Sequence, residues 1–194
     1  MKKQLNTVEI THEILKRYVK EGDFCIDATV GNGHDTVFLA KLCGESGKVL
    51  GFDIQPQAVE NTLTALKNAG LEQRAEIIQA SHTEISRYAK PESAAAAVFN
   101  FGWLPGGDHN IFTKSETSLE AIKQALCAVK PGGIVCLAVY YGKQCGYTER
   151  DDILSLLKSL DSAEYTVILM QFYNRINNPS IPAFIIKNEK QALT

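Results

Sequence analysis

The chain has 194 residues, 45% hydrophobic and 22% charged, with a formal net charge of −2. Those proportions fit a globular chain and exclude disorder, collagen and coiled coil as the dominant state. The pI of about 6.1 excludes a protein that holds nucleic acid by bulk charge alone.

The opening MKKQLNTVEITHEIL has two lysines but polar residues where a signal peptide needs an apolar stretch, so a cytoplasmic location is expected. An N-terminal helix is expected within residues 1–22, with Ile14, Leu15, Tyr18 and Val19 on one face and Gly22 after its end. His12 on that helix reads as a capping or surface residue. FCIDAT (24–29) reads as a buried strand, followed by Gly31, Gly33 and a short helix through Val37, Phe38, Ala40 and Leu42. KVLGFD (48–53) is a second strand, and Pro56 opens a helix that Gly70 closes. AEIIQA (75–80) and AAAVFNF (95–101) are strands three and four. The fourth is almost continuously apolar, as a strand covered on both faces should be.

Thr113 and Glu116 suggest a capping box before the next helix. PGG (131–133) then reads as a turn before the strand IVCLAVYY (134–141). Thr148 and Asp151 suggest the cap of a further helix. The tail changes character: YTVILMQFY (165–173) and IPAFIIK (181–187) are joined by a loop too short for a parallel crossover, so 163–187 is expected to be an antiparallel hairpin. The expected fold is α/β, a doubly wound Rossmann-like sheet of seven strands closed by that hairpin, with residues 1–194 as a single domain.

Five cysteines with no CxxC pair read as reduced structural thiols, and no metal site is expected. No apolar run approaches the roughly 20 residues of a membrane helix.

Ligands of doubly wound sheets sit at the carboxyl ends of the strands. Asp27 ends the first strand, and Gly31 and Gly33 turn into a helix whose free N–H groups face outward. A dinucleotide turn wants a small residue at 36, where this chain has Thr36, and Asp27 would face a pyrophosphate. NAD and an oxidoreductase are therefore the weaker reading. Asp53 ends the second strand, 20 residues beyond Gly33, where an acid accepts hydrogen bonds from ribose hydroxyls. Two acids around the glycine turn describe a nucleoside with a cationic tail and no phosphate, which is S-adenosylmethionine.

The segments DATVGNGHDTVFLA, GFDIQ, SHTEI, FNFGWLPGGDH and YYG-x-x-x-G-Y-x-E resemble the rRNA methylase family of class I methyltransferases, over about residues 8–187. Its characterised members resemble tRNA 5-aminomethyl-2-thiouridine methyltransferases. The resemblance implies that Asp27, Asn32 and Gly33 surround the amino acid part of the cofactor, with Gly31 and Asp35 in the same set. Asp53 would take the ribose, Ile54 and Gln55 would lie beside the adenine, and Ser81 and His82 would border its edge. Asn100 would face the transferred methyl group, with Asp108 and His109 as candidate acid–base residues. Trp103, Tyr140, Tyr141 and Lys143 would contact substrate; Lys143 departs from the His of the family pattern. The implied substrate is a primary amine at the tRNA wobble position, in the anticodon region, with rRNA or a small metabolite as alternatives. The near-minimal chain leaves little surface for an anticodon arm, so a homodimer is expected.

Overall fold

A computed structural model describes residues 5–102, 114–142 and 147–189. Seven strands form one sheet: β1 (Phe24–Asp27), β2 (Lys48–Asp53), β3 (Ala75–Gln79), β4 (Ala94–Phe101), β5 (Val129–Val139), β6 (Tyr165–Leu169) and β7 (Ile181–Lys187). Their order is β3-β2-β1-β4-β5-β7-β6, with β7 antiparallel to both neighbours and the other pairs parallel. This is the expected α/β architecture with its terminal hairpin. Strand order reverses between β1 and β4, so the crevice above their carboxyl ends is the natural ligand position.

Helices α1 (Thr7–Tyr18), α2 (His34–Leu42) and α3 (Pro56–Ala69) precede the short α4 (Ile85–Tyr88), and α5 (Ser115–Ala128) and α6 (Thr148–Ser159) follow. Two apolar clusters lie on the two faces of the sheet. One joins Phe52, Phe99 and Phe101 to Ile122, Leu126 and Ile153 of α5 and α6. The other joins Ala96, Val98 and Cys136 to Leu15 of α1 and Leu39 of α2. Strand side chains alternate between faces, so Asn100 shares the α1 and α2 face with Ala96 and Val98.

Several boundaries differ from the expected ones. Helix α1 stops at Tyr18 because Val19 is extended (φ −93°, ψ 132°), although its buried side chain prolongs the apolar stripe. Its start is a capping box: Asn6 accepts from the Glu9 N–H at 2.9 Å, and Glu9 accepts from the Asn6 N–H at 3.2 Å. Strand β1 ends at Asp27 and β6 at Leu169, both short of the apolar runs. The PGG segment lies inside β5 rather than before it, at a register shift against β4. A Cβ at Gly133 would stand 2.6 Å from Val129 and 2.8 Å from the Ala95 carbonyl, so only glycine lets the two backbones meet there.

Lys114 is the N-cap of α5, Thr113 lies outside the described residues, and Tyr147 rather than Thr148 is the N-cap of α6. Ser118 instead ties the two helices together, donating to buried Glu149 at 2.5 Å. Among the described residues no helix is long and apolar enough to cross a membrane.

Candidate active site

The β1–α2 turn is held from three sides. Gly31 and Gly33 have φ of +52° and +81°, which glycine adopts without a steric cost. A Cβ at Gly33 would press to 3.0 Å on the Thr62 backbone, so the second glycine also lets α3 approach. Thr62 donates to the Gly31 carbonyl at 3.1 Å, and Asn61 donates to Asn32 at 2.8 Å. Asp53 accepts from the Gly31 N–H at 3.1 Å and from the Gln55 N–H at 3.0 Å. Burial pushes the Asp53 carboxyl upward, while those N–H groups and that of Ile54 hold it down. Ile54 itself is exposed beside it.

Asp27 has no exposed surface. Thr36 donates to it at 2.6 Å and the Thr29 N–H at 3.2 Å. Burial, and then the nearby Asp35 charge, push its carboxyl up to about 7 against those hydrogen bonds. It stands behind the turn rather than on a cavity wall. Thr36, which counted against a dinucleotide turn, is the residue that satisfies this acid.

A cavity of about 630 Å³ opens above the crevice. Its walls come from Glu9 and His12 of α1, the Thr29–Asn32 turn, His34 and Asp35 of α2, Asn100–Gly102, and Tyr140. Three of these residues form a chain. The Asn100 amide Nδ2 donates to Asp35 Oδ2 at 2.6 Å, and Asp35 Oδ1 lies 2.6 Å from His12 Nε2. The His12 ring stacks on Phe38 at 3.7 Å. The Asn100 backbone N–H donates to the Thr29 hydroxyl at 2.7 Å, which fixes the strand end.

A carboxylate can only accept, so Asp35 fixes both neighbours. It turns the Asn100 amide nitrogen toward itself and leaves the carbonyl oxygen for a ligand. It also makes His12 Nε2 the protonated nitrogen, leaving Nδ1 with a lone pair. Together with Glu9, the cavity is acid-lined and suits a cation or an amine.

His12 is therefore a buried-site partner of Asp35 rather than a helix cap. Its signal in the sequence was the spacing Asn6, Glu9, His12, which sets three polar side chains on successive turns of one helix face. Tyr140 lines the cavity, whereas Tyr141 turns away onto Arg150, whose guanidinium lies 4.9 Å from its ring centre. Trp103, Asp108, His109 and Lys143 lie outside the described residues.

Ser81 begins a short turn after β3, and His82 follows it. The His82 ring stands edge-on to Phe99 and Phe101 at 6.4 and 6.5 Å. Its Nε2 is buried with no hydrogen-bond partner among the described residues, and burial pushes its pKa down. An acid at the end of β2 fits the ribose of an adenosine.

Residues 49–186 match the family described as "Putative rRNA methylase". A tRNA (mnm5s2U34)-methyltransferase, chloroplastic, from Arabidopsis thaliana is 33% identical over 93% of this chain and 69% of its own length. A Clostridium thermocellum structure of the same description as the family is 39% identical, with a TM-score of 0.92 over 95% of this chain and 99% of its own. A Streptococcus mutans protein, described as "a putative methyltransferase" in complex with SAH, is 36% identical, with a TM-score of 0.85 over 95% and 99%.

Proposed function

Because this chain belongs to the rRNA methylase family and is an S-adenosylmethionine-dependent methyltransferase, we propose that its substrate is the primary amine of 5-aminomethyl-2-thiouridine at the tRNA wobble position. The observation that carries this reading is the acid-lined cavity in which Asp35 aims the Asn100 carbonyl oxygen at a hydrogen-bond donor. The Arabidopsis relative supports the choice of tRNA.

When bound, S-adenosylmethionine supplies a methyl group on a positively charged sulfur. The residues of the chain have four tasks. Asp53 accepts hydrogen bonds from the ribose hydroxyls, with the Ser81–His82 turn beside the adenine. Asp35 and Glu9 attract an ammonium group into the cavity. That ammonium must lose a proton before its nitrogen can attack, and His12, a cavity-lining residue whose Nδ1 keeps its lone pair when Nε2 bonds Asp35, is the group assigned to take it. Asp35 stabilises the imidazolium so formed, and the proton leaves to solvent. Asn100 then accepts one N–H of the neutral amine and aims its lone pair at the methyl carbon. The rest of the rate comes from alignment, for which holding two reactants in register is worth up to about 7–11 kcal/mol.

Label from S-adenosylmethionine is expected to enter tRNA that carries the free aminomethyl group. Incorporation into ribosomal RNA, or into tRNA lacking the amine, would defeat this substrate. Asp53→Ala is expected to weaken cofactor binding by about 1–3 kcal/mol, because the ribose hydroxyls lose their acceptor. Calorimetric titration checks this; unchanged affinity would remove Asp53 from the site.

A further inference from the structure

A second cavity, of about 340 Å³, lies on the same edge of the sheet as the first. Register places it there. Val139 of β5 pairs with Ile181 of β7, and Leu169 of β6 pairs with Ala183. The 170–180 connection therefore sits at the end of the sheet where β4 and β5 deliver Asn100 and Tyr140. It is fastened to the helix that walls the first cavity: Thr7 and Ser180 share a hydroxyl hydrogen bond of 2.7 Å, and Arg175 donates to the Leu5 carbonyl.

The two cavities differ in chemistry. The first has Asp35 and Glu9. The second has Arg175, Asn178 and the rings of Tyr141, Phe172 and Tyr173, with no acidic side chain among its described lining residues. Arg175 lies 3.8 Å over the Phe172 ring, and Arg150 lies 4.9 Å over that of Tyr141. Tyr173 is 93% exposed, with no ring partner among the described residues. Consecutive residues divide between the cavities: Tyr140 faces the first and Tyr141 the second.

We propose that this second cavity binds an unpaired nucleotide of the RNA substrate next to the one being methylated, stacking its base on Tyr173 and holding its phosphate near Arg175. The ligand chemistry follows from the wall. Aromatic faces accept any base, the Arg175 guanidinium favours an anion, and the Asn178 amide supplies both donor and acceptor for a base edge. The acidic first cavity takes the cationic amine, and the cationic second one takes the anionic backbone beside it. This inference rests on the RNA reading above, and it adds a site that sets how the RNA is gripped.

The test uses the full chain and an anticodon stem-loop RNA, with and without the aminomethyl group, and two further RNAs made abasic on one or the other side of the modified position. Because Tyr173 is almost fully exposed, Tyr173→Ala leaves the core intact. It is expected to raise the Kd and KM for RNA roughly tenfold, with kcat and cofactor affinity unchanged, the size of one lost base stack. Tyr173→Phe is expected to bind like the parent. One abasic RNA is expected to weaken binding to the parent chain by a similar factor but to cost Tyr173→Ala little more. RNA affinity unmoved by Tyr173→Ala, or an abasic penalty equal in both proteins, would overturn the proposal. So would a Tyr173→Ala variant whose sedimentation changes while RNA affinity does not, since the face would then join two copies of the chain. Binding through Tyr173 without methyl transfer would uphold this site and sink the substrate reading alone.

Discussion

Asp35→Asn is expected to lower kcat by about a hundredfold or more while leaving the fold intact. In the parent chain both Asp35 oxygens are acceptors at 2.6 Å, one for the Asn100 amide and one for His12 Nε2. An amide in the same place has one acceptor and one donor. If it accepts from Asn100, its NH2 faces His12 and forces Nε2 to become the lone-pair nitrogen. Nδ1 then carries the hydrogen and cannot take the proton of the ammonium group. If it accepts from His12, its NH2 faces Asn100 and the Asn100 carbonyl must turn inward, away from the amine. Either arrangement breaks one of the two tasks, and a misplacement of about 1 Å at a reacting group is worth roughly a hundredfold.

The same geometry predicts how variants combine. Residues that act as one unit have effects that do not add. The double variant Asp35→Asn with Asn100→Ala is expected to be hardly slower than the slower of the two single variants. His12→Ala is expected to lose most at low pH and to recover as pH rises, when solvent water has already neutralised the amine. Single-turnover rates across pH, with cofactor affinity measured alongside, separate these effects. A kcat for Asp35→Asn within a few-fold of the parent would dismiss the chain from Asn100 through Asp35 to His12.

The parts of this site that were legible in the sequence are those fixed by neighbours along the chain. Gly31 and Gly33 announce the turn through backbone conformation, Pro56 and Gly70 bracket α3, and Asp53 stands at the end of an unmistakable strand. The run of AAAVFNF also places Asn100 on the α1 side, since Ala96 and Val98 precede it at a period of two. What the sequence concealed depends on separations it does not encode. His12 and Asp35 are 23 residues apart, and Asn100 and Asp35 are 65 apart, and only the packing of α1 and α2 on one face of the sheet makes them a chain. The β5 bulge was hidden for a similar reason. PGG has the composition of a turn, yet the close approach to Ala95 turns its lack of side chains into room for a strand.

Buried Asp27 gives the second large effect, one that appears in stability and in cofactor binding. Its folded carboxyl titrates at about 7, whereas an unfolded aspartate titrates near 3.9. Between those values the folded chain keeps a proton that the unfolded chain has released. Stability therefore falls as pH rises through this window, is unaffected by Asp27 below it, and levels off above pH 7. Each pH unit inside the window is worth at most about 1.4 kcal/mol, so the loss from pH 5 to pH 8 is about 2–3 kcal/mol. Asn cannot ionise, and its amide can still meet Thr36 and the Thr29 N–H. Asp27→Asn is therefore expected to gain about 2–3 kcal/mol relative to the parent between pH 5 and pH 8 in urea unfolding, since titrating groups away from Asp27, Asp35 and Asp53 cancel in the comparison. A cationic ligand beside Asp35 relieves the repulsion that helps keep Asp27 protonated. Binding of S-adenosylmethionine near pH 7 should then release protons, a release visible as a dependence of the calorimetric heat on the buffer's ionisation enthalpy. Asp27→Asn should abolish that dependence. A stability difference that stays flat from pH 5 to pH 8 would mean that Asp27 is ionised throughout, and the acid behind the glycine turn would then be a fixed charge rather than a titrating one.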